Sequence, residues 1–159
     1  MKTISKIICA AVLALSPMAF TYALTPMVTD PSIPKGAHQL LINKMTQVAS
    51  KNECAVLNDE FYSFTCSADV LSQEMTATAP PMHALTLSVH FFITDDMSGE
   101  VLSTFTIDVT GAGKTPEKAM IAAFKTIKPN APGFKRLLDK AAKRLCPEPA
   151  PEQETKTEE

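Results

Sequence analysis

The chain is 159 residues long, carries a formal charge of −2 at pH 7, and is 45% hydrophobic and 20% charged. That balance belongs to a globular domain and excludes a fibrous or wholly disordered chain. A near-neutral body sets up no field toward nucleic acid, and beyond the N-terminal run nothing approaches the roughly 20 consecutive apolar residues of a transmembrane helix.

Lys2 and Lys6 precede an apolar run over 7–15, and Thr21-Tyr22-Ala23 places small or short residues at the two peptidase recognition positions. This is the pattern of a secretory signal peptide over 1–23, cut after Ala23, with Pro17-Met18-Ala19 as an earlier alternative. Either cut removes Cys9, which follows Lys6-Ile7-Ile8 instead of closing the apolar run behind small residues, so no lipidation site is expected. The expected product is exported, periplasmic or extracellular, and soluble. Loss of Lys2 and Lys6 moves the charge from −2 to about −4. About 135 residues remain, enough for one domain that buries roughly two-thirds of its extended-chain surface.

Residues 24–34 carry Pro26, Pro31 and Pro34 and are expected as an extended lead-in, because proline neither donates to a ladder nor continues a helix. A single domain is expected over 35–146. Leu40, Leu41, Met45 and Val48 recur at helical spacing and predict a first helix over about 36–52, stopped by Asn52.

The period then drops to two. Tyr62, Phe64, Cys66, Ala68 and Val70 alternate until the rhythm fails near Leu71, as at a bulge, and Pro80-Pro81 ends the run. Leu85, Leu87, Val89, Phe91 and Ile93 alternate with Thr86, Ser88, His90 and Thr94, and Val101, Phe105, Ile107 and Val109 repeat the pattern. A turn over 95–100 containing Gly99 joins the two as a hairpin.

Helical spacing returns after Gly113, with Thr115 as N-cap, Pro116 in the first position and Ala119, Met120, Ala123, Phe124 and Ile127 as the stripe. A third helix over about 133–146 buries Phe134, Leu137, Leu138, Ala141 and Leu145. The Pro/Glu-rich segment 147–159 has no apolar face and is expected to be a disordered acidic tail. The fold class is therefore α+β: a two-layer sandwich with an N-terminal helix, an antiparallel meander of three or four strands and two C-terminal helices.

An oxidising compartment favours pairing of the three remaining cysteines. The turn signal Asn58-Asp59-Glu60 makes Cys54–Cys66 the preferred disulfide, with Cys66–Cys146 the competing pair. Gly111-Ala112-Gly113-Lys114-Thr115 resembles the end of a phosphate-binding loop, but Asp108 stands where that motif requires its first glycine. The two glycines then serve a turn of unusual dihedrals, and no cofactor is expected. His38, His83 and His90 lack zinc-ligand spacing, and no nucleophile motif marks a catalytic centre. Asp95-Asp96 lacks the spacing of a calcium loop. Arg136, Lys140, Lys143 and Arg144 recur at i, i+4, i+7 and i+8, a basic face fit for an anionic surface or acidic partner. The acidic tail is expected to fold back on that face as a weak electrostatic shield.

The segment 41–49, Thr76-Ala77-Thr78-Ala79-Pro80-Pro81-Met82, and Gly111-Ala112-Gly113 with Lys118-Ala119 resemble a family of small exported proteins from Bacteroidetes and their mobile elements. More loosely, the strand, Gly-x-Gly turn and Ala-rich helix resemble the TolB amino-terminal domain, the curli channel protein CsgG and the flagellar protein FlgT. The looser resemblance implies an assembly or adaptor role with no catalytic residues.

The expected function is an exported, non-enzymatic binding or assembly module of the cell envelope, with a protein partner or further copies of itself and no nucleic acid. One alternative is a small secreted hydrolase or ligand-binding protein with a dispersed site. Another is attachment to a membrane surface through the basic C-terminal helix.

Overall fold

A computed structural model of the chain describes residues 24–51 and 61–145. Their order is β1 (Thr25–Val28), α1 (Lys35–Lys51), β2 (Tyr62–Met75), β3 (His83–Asp95), β4 (Val101–Gly113), α2 (Pro116–Thr126) and α3 (Pro132–Leu145). The expected signal peptide, Cys54, the turn at Asn58-Asp59-Glu60, Cys146 and the tail over 147–159 lie outside the described residues.

The strands form one sheet in the order β1-β2-β3-β4, with β2, β3 and β4 antiparallel. This is the expected α+β arrangement of one helix, a meander and two C-terminal helices. Alternation sorts the side chains. Phe64, Cys66 and Ala68 of β2 stand opposite Ile93, Phe91 and Val89 of β3, and all six are buried beneath the helices. The intervening positions, among them Thr65, Ser67, Thr86, His90, Thr106 and Asp108, form the opposite face of the sheet, as the two-residue period requires. The ladder slips between Val70 and Ser72, so the broken rhythm at Leu71 is a bulge.

The lead-in differs from expectation. It contains β1, which pairs in parallel with β2 from Thr25 opposite Ser63 to Val28 opposite Cys66, with α1 as the crossover that parallel strands require. Pro26 is tolerated there because β1 is an edge strand with one side of its backbone unpaired. Past β1, Asp30 continues the attachment. Its Oδ2 accepts the Ala68 amide at 2.9 Å, and its Oδ1 accepts the Ser32 hydroxyl and amide at 2.6 and 2.8 Å. Burial raises the Asp30 pKa, but the bonds from Ser32 and Ala68 outweigh it and hold the carboxyl below its ordinary value.

Two contacts fix the C-terminal helices. The aromatic ring of Phe134 on α3 sits edge-on to Phe91 and Phe105, at centroid distances of 4.9 and 5.0 Å, beneath the buried stripe of Leu137, Leu138 and Ala141. For α2, Gly111 and Gly113 lie so close that a Cβ on Gly111 would stand 2.2 Å from the Ala123 nitrogen, and one on Gly113 2.5 Å from the Ala119 nitrogen. Both are strand residues with ordinary φ. Gly99 in the β3–β4 turn is the one described glycine with positive φ, at 70°. The expectation of a turn with unusual dihedrals at 111–113 is therefore corrected: these glycines let helix backbone approach strand backbone. Thr115 caps α2 as expected by accepting the Lys118 amide. Lys44 of α1 donates to the Lys125 and Ile127 carbonyls at the other end of α2, and Lys51 reaches Asn130 Oδ1 at 2.9 Å.

Two measurements check these contacts. Gly111→Ala is expected to lower stability by about 1–3 kcal/mol through forced overpacking, whereas Thr110→Ala on the open face should cost under about 0.5 kcal/mol, both read from urea unfolding. Asp30→Ala should cost about 1–3 kcal/mol at pH 7 by leaving the Ala68 amide unpaired. Because the folded Asp30 pKa is depressed from 3.8, its contribution is present above that value and fades as pH falls through the folded one. The wild-type advantage should therefore shrink on acidification below about pH 4.

Candidate functional site

β4 closes the sheet, with no strand on its far side among the described residues. Its first residues are held against α3 by polar contacts. The buried Ser103 hydroxyl donates to the Leu137 carbonyl at 2.7 Å. At the end of α3, Arg144 donates to the Val101 carbonyl at 3.1 Å and to Glu100 Oε1 at 3.3 Å. The ion pair is exposed on both sides, so its worth is about 0–1 kcal/mol and its role is orientation.

Between these contacts runs a groove of about 380 Å³, lined by Val101 to Thr104 on one wall and Lys140, Lys143 and Arg144 on the other. That volume falls in the roughly 300–1,000 Å³ range of ligand sites. Three of the four basic residues singled out by their spacing therefore line one concavity beside a strand edge. Arg136, a turn earlier on α3, is exposed and outside its lining. The cations sit in the second half of a helix whose carbonyl end also favours positive charge. Glu100 pairs with Arg144, and the exposed Asp139 of α3 stands one position before Lys140 and four before Lys143.

The structure also assembles a set of residues that spacing did not reveal. On the open face, His90 Nε2 lies 3.1 Å from Asp69 Oδ2, and Nδ1 lies 2.9 Å from Thr106 Oγ1. With Nε2 donating to the carboxylate, the Thr106 hydroxyl donates to Nδ1. The three residues come from β2, β3 and β4, so no local motif announces them. Asp69 is 74% exposed, and the trio lies outside both the basic groove and a second groove of about 490 Å³ farther along this face, near Thr86 and Thr110. His38 contacts the Ile33 carbonyl at 3.0 Å, and His83 lies at the start of β3, so the histidines are dispersed. Among the described residues no three His, Cys, Asp or Glu side chains gather as metal ligands.

Cys66 has no disulfide partner among the described residues, and its expected partners, Cys54 and Cys146, lie outside them. The two-residue period turns its sulfur inward beside Phe64 and Ala68, where it is 2% exposed. Burial, with the nearby Asp30 charge second, pushes the thiol up to about 12. Asp95, in the β3–β4 turn, accepts the Ser98 hydroxyl and the Met97 amide, which hold its carboxyl below the ordinary value. Asp96 accepts the Ser63 hydroxyl at 2.8 Å, so the acidic pair organises the turn.

No helix among the described residues is long and apolar enough to cross a membrane. No family model and no curated protein matches the chain. Among solved structures it is similar to a Caulobacter crescentus protein assigned as a lipoprotein, with 14% identity over 79% of this chain and 88% of that one and a TM-score of 0.38. A minor lipoprotein of Acinetobacter baumannii matches at 13% identity over 77% and 92%, with a TM-score of 0.31. Lipoprotein GNA1162 of Neisseria meningitidis matches at 8% over 62% and 86%, with a TM-score of 0.33. Likeness at this level carries no argument about role, and it supports neither the Bacteroidetes-type resemblance nor the one to TolB, CsgG and FlgT.

The burial of Cys66 predicts its reactivity. In a chain with Cys54 and Cys146 replaced by serine, Ellman's reagent at pH 8 should leave Cys66 unmodified while the protein is native and label it fully in denaturant. Rapid native labelling would show that the sulfur is accessible.

Proposed function

We propose that this chain is an exported, non-enzymatic binding module of the cell envelope that takes hold of an acidic, extended protein segment in the groove between β4 and α3. The observation that carries this reading is the convergence of Lys140, Lys143 and Arg144 on one concavity beside the unpaired side of β4. A strand edge offers backbone donors and acceptors to an extended chain, and the cations select one rich in carboxylate. Val101, 42% exposed at the mouth of the groove, adds an apolar contact. The N-terminal pattern of lysines, apolar run and small residues supports export, to the periplasm or beyond.

Fluorescence anisotropy with a labelled oligo-glutamate peptide tests the reading. Binding should weaken at least about tenfold between 50 and 300 mM salt, and the double substitution Lys140→Glu with Lys143→Glu should abolish it. Both lysines are exposed on α3, so the fold is expected to survive, which far-UV circular dichroism verifies. Tight sedimentation with anionic vesicles and none with the peptide would replace the protein partner by a membrane surface.

A further inference from the structure

The groove opens where the acidic tail begins. Arg144 lines it, α3 ends at Leu145, and the fourteen residues over 146–159 follow directly. Their charge is of the opposite sign: Glu148, Glu152, Glu154, Glu158 and Glu159 stand against Lys156 alone. We propose that this tail is the groove's resident occupant, lying over Lys140, Lys143 and Arg144 of its own chain, so that an acidic partner binds only by displacing it. The inference rests on the groove's being a site for acidic segments and names what regulates it.

Reach permits this. Lys140 lies about 7–8 Å from Leu145 along the helix axis at roughly 1.5 Å per residue. Four extended residues span about 13 Å, so Glu148 and the residues after it can return across the cations. Composition favours it as well. Three prolines within five residues, Pro147, Pro149 and Pro151, restrict the free chain and so reduce the entropy lost on docking. Covalent attachment supplies the rest: a short tether gives an effective concentration on the order of millimolar, so weak contacts suffice to keep the groove filled. A partner needs more carboxylates, or a better fit to β4, to compete.

The test keeps the chain whole and changes the tail's charge. Full-length protein is compared with a variant carrying Glu148→Gln, Glu152→Gln, Glu154→Gln, Glu158→Gln and Glu159→Gln, using the labelled oligo-glutamate peptide at low salt. The neutral-tail variant should bind the peptide at least about fivefold more tightly than the wild type. Adding Lys140→Glu and Lys143→Glu should remove binding in both backgrounds. Equal affinity of wild-type and neutral-tail chains overturns the tail's occupancy while leaving the groove's function intact. Absence of peptide binding to either chain overturns both. A concentration-dependent dimer in analytical ultracentrifugation that the neutral tail abolishes overturns the cis arrangement, because the tail then fills the groove of a second copy.

Discussion

The seating of α3 on the sheet is the constraint on which the candidate site depends. The Phe134 ring lodges edge-on to Phe91 and Phe105, and Gly133 must lack a Cβ because one would meet the Phe105 ring at 2.1 Å. Helix and strand therefore approach to ring contact at the N-terminal end of α3. Ser103 holds the middle through the Leu137 carbonyl, and Arg144 holds the far end through Val101. Three attachments along one line leave α3 a single angle against β4. Its basic residues consequently line a groove at the strand edge and do not simply point into solvent.

A second close contact supports the first. α2 lies against β4 at Gly111 and Gly113, and α1 reaches the end of α2 through Lys44, whose ammonium is pulled below its ordinary pKa by desolvation there. A lysine on helix carbonyls thus ties α1 to α2, and glycine-permitted backbone contact seats α2 on the sheet. Little of this holding energy is ionic. The one ion pair near the groove is exposed, whereas Phe91 and Phe134 of the aromatic cluster are buried and the glycine contacts are uncharged, so the architecture should be insensitive to salt even where binding is not.

Much of this fold is legible in the sequence because burial is one-sided. Every second residue of β3 from Leu85 to Ile93 meets the helices, so the period-two signal is strong, and the stripes of α2 and α3 are equally regular. The element missed is β1, where four residues including a proline leave no period to read and the pairing partner lies 38 positions away. At Gly111 and Gly113 the sequence shows that a Cβ is absent but not which backbone fills the space, so a turn and a close helix contact read alike. The basic face was visible as spacing on one helix. That β4 lies beside it, and that Asp69, His90 and Thr106 meet, are consequences of strand register and could not be read from local pattern.

The short length of β1 has one further consequence. It covers β2 only as far as Cys66 and Asp30 extends the cover to Ala68, so among the described residues the stretch beyond, with Val70, Leu71 and Met75 each more than half exposed, is an open template of the kind on which foreign chains zip together into fibrils. The bulge at Leu71 interrupts that template. An incoming straight strand loses registry there after a few residues, so the irregularity guards the chain against sheet-to-sheet polymerisation.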